Sequence, residues 1–276
     1  MENPLVQRAL ETLSQNTKDH WATRPIRRIR VESAKDFYRF ASRREPVVIT
    51  NALEAWPAMK YWDAEYLKKK VGSNIVSVNV TPNGMGDAVV RDHEGSEVFA
   101  FPEERSMKCS EFLDLWTSSS SSVSDERRPV FYLSHQNDSL RTQFAKLLED
   151  DVPSHISWAS ELFGSRPDAV NLWIGDRRSR SSLHQDYYEN LYAVVRGEKE
   201  FVLISPSDVP FLYASAEFPT SQYCQSKKSG TWSIDPVFSD KRVRTKTSWV
   251  PVDVRKPDLD RFPLFRYVRV FARGLA

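Results

Sequence analysis

Two rhythms of apolar and polar positions run along the chain, and between them they assign most of its elements. Leu5, Ala9, Leu10 and Leu13 recur at helical spacing, so the first segment is predicted to be an amphipathic helix that serves packing or dimerisation. IRRIRVE (26–32) alternates like a half-exposed strand; Ser33, with Asp36 three residues on, is a capping-box pattern that opens a helix through DFYRFASRR. PVVIT (46–50) reads as a buried strand. Asp63 then caps the helix AEYLKKKV, Gly72 ends it, and NIVSVNV alternates again before the turn or loop TPNGMGD.

Further along, a helix is predicted from Ser110, followed by a low-complexity loop at Ser118 to Ser122, Val123 and Ser124. PVFYLSHQ (129–136) is a strand, NDSLRTQFAKLLEDD a capped helix and VPSHISWASELFGS a second one. LYAVV and KEFVLI flank Arg196-Gly197-Glu198, which predicts a hairpin with Lys199 on its second arm. SPSDVPFLYASAEFPTSQY reads as an ordered loop, SGTWSIDPVFSDKRVRTKTSWVPVDV as short β-like runs, and YVRVF as a strand. Many short strands with turn signals and no tandem repeat favour an antiparallel sandwich or barrel over a parallel sheet.

Length and composition narrow this further. With 276 residues and 40% hydrophobic content, the chain can bury a core as one domain (25–276) behind a helical extension (1–24). Its 39 basic and 37 acidic residues leave a net charge of +2, which argues against nucleic acid or acidic lipid as the main partner. Lys241, Arg242, Arg244 and Lys246 read as a solvated face. Cys109 and Cys224 suit neither a disulfide scaffold nor a thiolate metal cluster, so a reducing compartment is expected. No stretch approaches the ~20 apolar residues of a membrane span, and the expected location is the cytoplasm, with the nucleus also open.

The candidate chemistry lies in NLWIGDRRSRSSLHQDYYENLYAVVRGEKEFVL (171–203). In an extended chain His184 and Asp186 project to one side, roughly 7 Å apart along the strand, and form a two-toothed metal clamp. An imidazole and a carboxylate are two of the three protein ligands of the facial triad that holds iron(II). Glycine-rich phosphate loops, a nucleophile elbow and Cys-x-x-Cys are absent, and His93-Glu94 lacks the second histidine of a zinc-protease helix. His20, His93, His135 and His155 are read as surface or core residues.

PDAVNLWIG, SSLHQDYYENLYAVVRGEKEFVLISPSD and the upstream PVVITNALEAWPA resemble the JmjC (cupin) iron(II)- and 2-oxoglutarate-dependent oxygenases over roughly Pro46 to Arg261. The resemblance implies a mainly β fold with flanking helices, a double-stranded β-helix (cupin, jelly-roll). It implies Fe(II) with 2-oxoglutarate as cosubstrate, and hydroxylation of a lysine in a protein substrate such as a translation-linked GTP-binding protein. A histone N-methyl-lysine demethylase is an alternative, and a homodimer is open. On this resemblance His184 and Asp186 are the first two metal ligands, and Lys199 receives the distal carboxylate of 2-oxoglutarate. Tyr132 and Ser181 match the hydroxyls that share this task, Asn190 an asparagine near the iron, and Tyr187 and Tyr188 line the substrate side. The family's third ligand is a histidine near the end of the fold, and no histidine follows His184. The expectation is therefore a C-terminally truncated barrel lacking its final strands, with a non-catalytic binding module or splice fragment as a further alternative.

Overall fold

The computed structural model of the protein describes residues 4–20, 26–121, 128–240, 243–268 and 270–275. The N-terminal helix forms as α1 (Pro4–His20), yet Leu5, Val6 and Leu13 stay exposed. It meets the body at Tyr267, whose hydroxyl donates to Glu11 Oε1 at 3.2 Å. β1 (Arg27–Ile29) pairs in parallel with β2 (Val47–Ile49) across α2 (Ala34–Ala41). Asp36 caps α2 as its spacing predicts, accepting from the Ser33 hydroxyl at 3.0 Å and the Ser33 N–H at 2.9 Å. Those bonds, the hydroxyl's first, hold its carboxyl below the usual carboxylate range.

After the short turn α3 (Ala58–Tyr61), Asp63 Oδ1 accepts the Tyr66 N–H at 2.8 Å and starts α4 (Ala64–Val71). β3 (Ile75–Thr81) follows, then the two-residue β4 (Met85–Gly86), β5 (Ala88–Arg91), β6 (Glu97–Phe101) and β7 (Glu103–Lys108). α5 (Cys109–Ser121) leads to β8 (Val130–Tyr132). The first sheet has the order β7-β3-β8, all antiparallel. Val76, Val78 and Val80 project from β3 onto Phe112 and Leu113 of α5, and all five are at most 1% exposed. Burial of each such side chain is worth about 1.5–3 kcal/mol. The serines that end α5 depart from expectation. Ser118 continues the helix by donating to the Asp114 carbonyl at 2.8 Å, whereas Ser122, Val123 and Ser124 lie outside the described residues.

Two helices are expected between residues 137 and 165; three form: α6 (Ser139–Thr142), α7 (Ala145–Asp150) and α8 (Ser157–Phe163). Asp138 does not cap the first of them. It sits at φ 58, and its Oδ1 accepts the Val170 N–H at 2.7 Å, tying down the segment that leads to the site. Asp151 is 2% exposed and satisfied on all sides, accepting from Trp62 Nε1 at 2.9 Å, Tyr66 OH at 2.7 Å and Lys70 Nζ at 3.0 Å.

β9 (Arg180–Ser181) and β10 (Glu200–Ile204) bracket the candidate segment. The predicted hairpin does not form, because residues 191–195 adopt no strand and β10 pairs instead with the distant β16 (Val270–Leu275). Gly197 still turns the chain at φ 75. Nor is residues 205–223 one loop: a 3-10 turn (Pro206–Phe211) precedes β11 (Glu217–Gln225), the centre of the second sheet. β12 (Trp232–Pro236), β13 (Phe238–Asp240), β14 (Val243–Arg244) and β15 (Lys246–Ser248) realise the short runs read from the sequence. The second sheet runs β12-β11-β6-β5 with β15 also on β11, and only β11 with β6 is parallel. Of the basic cluster, Arg244 donates to Ser221 Oγ at 3.0 Å, while Lys241 and Arg242 lie outside the described residues. Among the described residues no helix is long and apolar enough to cross a membrane.

Candidate metal and cosubstrate site

The site begins at a two-residue parallel rung. β4 and β9 pair Met85 with Arg180 and Gly86 with Ser181, and the Arg180 N–H donates to the Gly84 carbonyl at 3.1 Å. Gly84 is required there: its φ is +84, and a Cβ would stand 1.9 Å from the Arg178 carbonyl oxygen. Beyond the rung the chain leaves the ladder, so His184 and Asp186 lie on an irregular segment rather than on the predicted strand. Their same-side placement nevertheless holds, with His184 Nε2 3.6 Å from Asp186 Oδ1.

What fixes them is local hydrogen bonding. His184 Nδ1 lies 2.8 Å from the Ser182 carbonyl, which can only accept, so Nδ1 carries the proton. In the neutral ring Nε2 then aims a lone pair at a carboxylate oxygen. Two acceptors face each other, and a cation between them, either a proton on Nε2 or a metal, resolves the conflict. Asn190 Nδ2 donates to the other oxygen, Asp186 Oδ2, at 3.2 Å and orients it toward the imidazole. Metal bonds of about 2.0–2.2 Å let one ion reach two donors at this separation. The donor pair thus fits a divalent ion. No third His, Cys, Asp or Glu joins it among the described residues.

Beside the clamp is a cleft of ≈ 100 Å³ whose walls include Asp87, Tyr132, Trp173, Ser181, His184 and Trp249. Volumes of this order accept small guests, since about 150 Å³ admits benzene. Lys199, one residue before β10, is not one of the cleft's walls but bears on two of them: it donates to the Tyr132 hydroxyl at 3.3 Å, and its ammonium lies 5.5 Å from the Tyr132 ring and 5.9 Å from that of Trp173. No carboxylate pairs with Lys199 among the described residues, and burial lowers its pKa. A half-buried cation without a counterion, set among aromatic faces, is a seat for an anion. Burial also raises the Tyr132 phenol, on which the Ser181 and Tyr192 hydroxyls both bear, so Tyr132 stays a neutral donor. Tyr187 is 99% exposed and Tyr188 70% exposed; both face solvent, and neither is one of the cleft's walls.

Tyr132 is thus brought together with Ser181 and Lys199, and Asp186 with His184 and Asn190. Asn190 supports the carboxylate rather than lining the cleft. Sequence reading missed Ser182, Trp173, Tyr192, Asp87 and Trp249. Trp249 lies far along the chain in a run of short strands, and nothing local marks it.

The model of the cupin-like domain matches residues 33–274. The chain is 38% identical over 250 residues to JmjC domain-containing protein E of Dictyostelium discoideum, covering 87% of this chain and 69% of that protein. It is 39% identical over 230 residues to the bifunctional peptidase and (3S)-lysyl hydroxylase JMJD7 of Homo sapiens, covering 83% and 67%. It is 36% identical over 230 residues to the lysine-specific demethylase JMJ32 of Arabidopsis thaliana, covering 83% and 62%. The chain thus spans about two thirds of the length of these relatives. With a matching domain over most of its length, relatives of this identity and a mainly β fold with flanking helices, the chain belongs to the cupin-like JmjC family.

Proposed function

We propose that this chain carries the iron(II)- and 2-oxoglutarate-binding framework of a JmjC oxygenase that hydroxylates a lysine side chain of a protein substrate. The observation that carries the proposal is the opposed His184–Asp186 pair 3.6 Å apart beside a cleft walled by Tyr132, whose hydroxyl accepts from Lys199. His184 and Asp186 would hold the metal, and Asn190 would keep the carboxylate turned toward it. Lys199, Tyr132 and Ser181 would receive the far carboxylate of the cosubstrate, the ammonium supplying charge and the hydroxyls direction. When bound, iron and 2-oxoglutarate supply the oxidising chemistry; the chain's share is to orient them and to keep other groups away. The name of the human relative supports lysyl hydroxylation of a protein, and a translation-linked GTP-binding protein is the substrate proposed. The free thiols Cys109 and Cys224 support a reducing compartment, the cytosol or nucleus.

Two other readings have support. The Arabidopsis relative's name favours demethylation of a methylated lysine, as on a histone. The absence of a third donor among the described residues favours a non-catalytic binding module. Purified protein with iron(II), 2-oxoglutarate and ascorbate is expected to release succinate above the level of the His184→Ala/Asp186→Ala double variant. Equal release by the two would sink the enzymatic reading. Mass spectrometry of the substrate separates the remaining two, since hydroxylation adds oxygen and demethylation removes methyl mass.

A further inference from the structure

The structure assigns Trp249 a positioning role: its indole, anchored through Ser182, holds the His184 ring in the orientation that presents Nε2 to Asp186. This rests on the metal reading of the site but is testable apart from it. The indole lies 6.2 Å from the His184 ring between centroids, with planes 16° apart, which is near-parallel stacking. Trp249 Nε1 donates to Ser182 Oγ at 2.8 Å. That hydroxyl in turn donates to the Asp87 carbonyl at 2.5 Å, and the carbonyl of the same serine accepts from His184 Nδ1. One residue, Ser182, therefore fastens both the ring of His184 and the ring stacked on it.

Trp249 is itself held from outside the site. Its backbone N–H donates to the Ala216 carbonyl at 3.0 Å, continuing the β11–β15 pairing, and its ring packs on Phe99 of β6 at 4.8 Å between centroids. The second sheet thus reaches across to brace a metal-binding candidate that has no ladder of its own. Groups that orient a ligating imidazole commonly change metal affinity 10–100-fold when removed.

The test uses the full chain with Trp249→Leu, which loses stack and anchor, Trp249→Phe, which keeps an aromatic face but loses the N–H, and Ser182→Ala, which removes the shared hydroxyl. The first readout needs no metal: nitrogen NMR of the His184 ring at alkaline pH, where imidazole is neutral. Wild type is expected to show one tautomer protonated at Nδ1, and Trp249→Leu an averaged ring. The second is titration with manganese(II) alone. Affinity is expected to fall about 10–100-fold in Trp249→Leu and about threefold to tenfold in Trp249→Phe and Ser182→Ala, as for loss of one hydrogen bond. A folded Trp249→Leu variant with wild-type tautomer and manganese affinity overturns the proposal. If that variant does not fold, unchanged readouts in the other two overturn it equally. A wild-type chain that binds no manganese, but whose His184 tautomer depends on Trp249, refutes the metal reading and leaves the positioning role standing.

Discussion

The slab formed by the β7-β3-β8 sheet under α4, α5 and α7 and the segment from Ser182 to Lys199 illustrate two ways of fixing side chains. In the slab, backbone ladders set the spacing and apolar contacts fill it: Val78, Phe112, Leu113, Phe144 and Leu147 show no exposed surface at all. In the segment there is no ladder, and most residues are exposed. Its side chains are placed one at a time by hydrogen bonds: His184 to the Ser182 carbonyl, Asn190 to Asp186, Lys199 to Tyr132 and Arg196 Nε to the Trp62 carbonyl at 2.8 Å. Stability therefore resides in one region and the candidate chemistry in the other, and the candidate site's geometry can be altered at little cost to folding.

The largest expected effect tests the first half of that contrast. Phe112→Ala should cost about 3–5 kcal/mol in denaturant unfolding, as a fully buried phenylalanine leaves a cavity. A loss below ~1 kcal/mol would mean that the slab is not the stabilising region. Lys199→Met tests the second half: 2-oxoglutarate affinity in the presence of manganese(II) should fall by about 1.5–3 kcal/mol, the value of a hydrogen bond to a charged group, with little change in unfolding. Affinity of the wild type should decline as pH rises through the Lys199 pKa, which burial sets below the ordinary 10.5. Because the folded value is the lower one, the unfolded chain binds more protons between the two. Stability therefore gains with pH across that window, and Lys199→Met should abolish the gain.

Smaller effects sharpen the boundary between the regions. Arg196→Ala should cost about 1 kcal/mol globally, yet accelerate amide exchange selectively over residues 184–199, because the Arg196–Trp62 bond ties the segment to the slab. Uniform acceleration across the chain would deny the segment any independence. Asp63→Ala should remove about 0.5–1 kcal/mol of stability through the lost cap on α4 and leave manganese binding untouched.

What the sequence made legible follows the same division. Local patterns succeeded where local forces decide: the Asp36 and Asp63 caps, the alternation of β3 and the helix, though not a buried stripe, of α1. The opposition of His184 and Asp186 was anticipated for a partly mistaken reason. His184 and Asp186 face one another as a strand would place them, but a bond to the Ser182 carbonyl does the placing. The hairpin failed because LYAVV and KEFVLI are both good strand sequences, and β10 takes its partner from the far end of the chain, which no short window reveals. β11 was hidden because buried Thr220 and Ser221 interrupt its apolar alternation and Pro219 argues against an inner strand. Trp249 lay beyond reach since its role depends on contacts with Ser182 and His184 across more than sixty residues of sequence.

The pairing of only two residues between β4 and β9 has a reach far beyond its size. A slip of one position there would carry Ser181 out of the cleft and turn the opposite row of side chains inward, since neighbouring residues of an extended chain point to opposite sides. Gly84 guards against this, because any larger residue would collide with the Arg178 backbone and force the two segments apart. A single added methyl group at a position with no chemistry of its own would thereby rewrite which atoms greet a ligand.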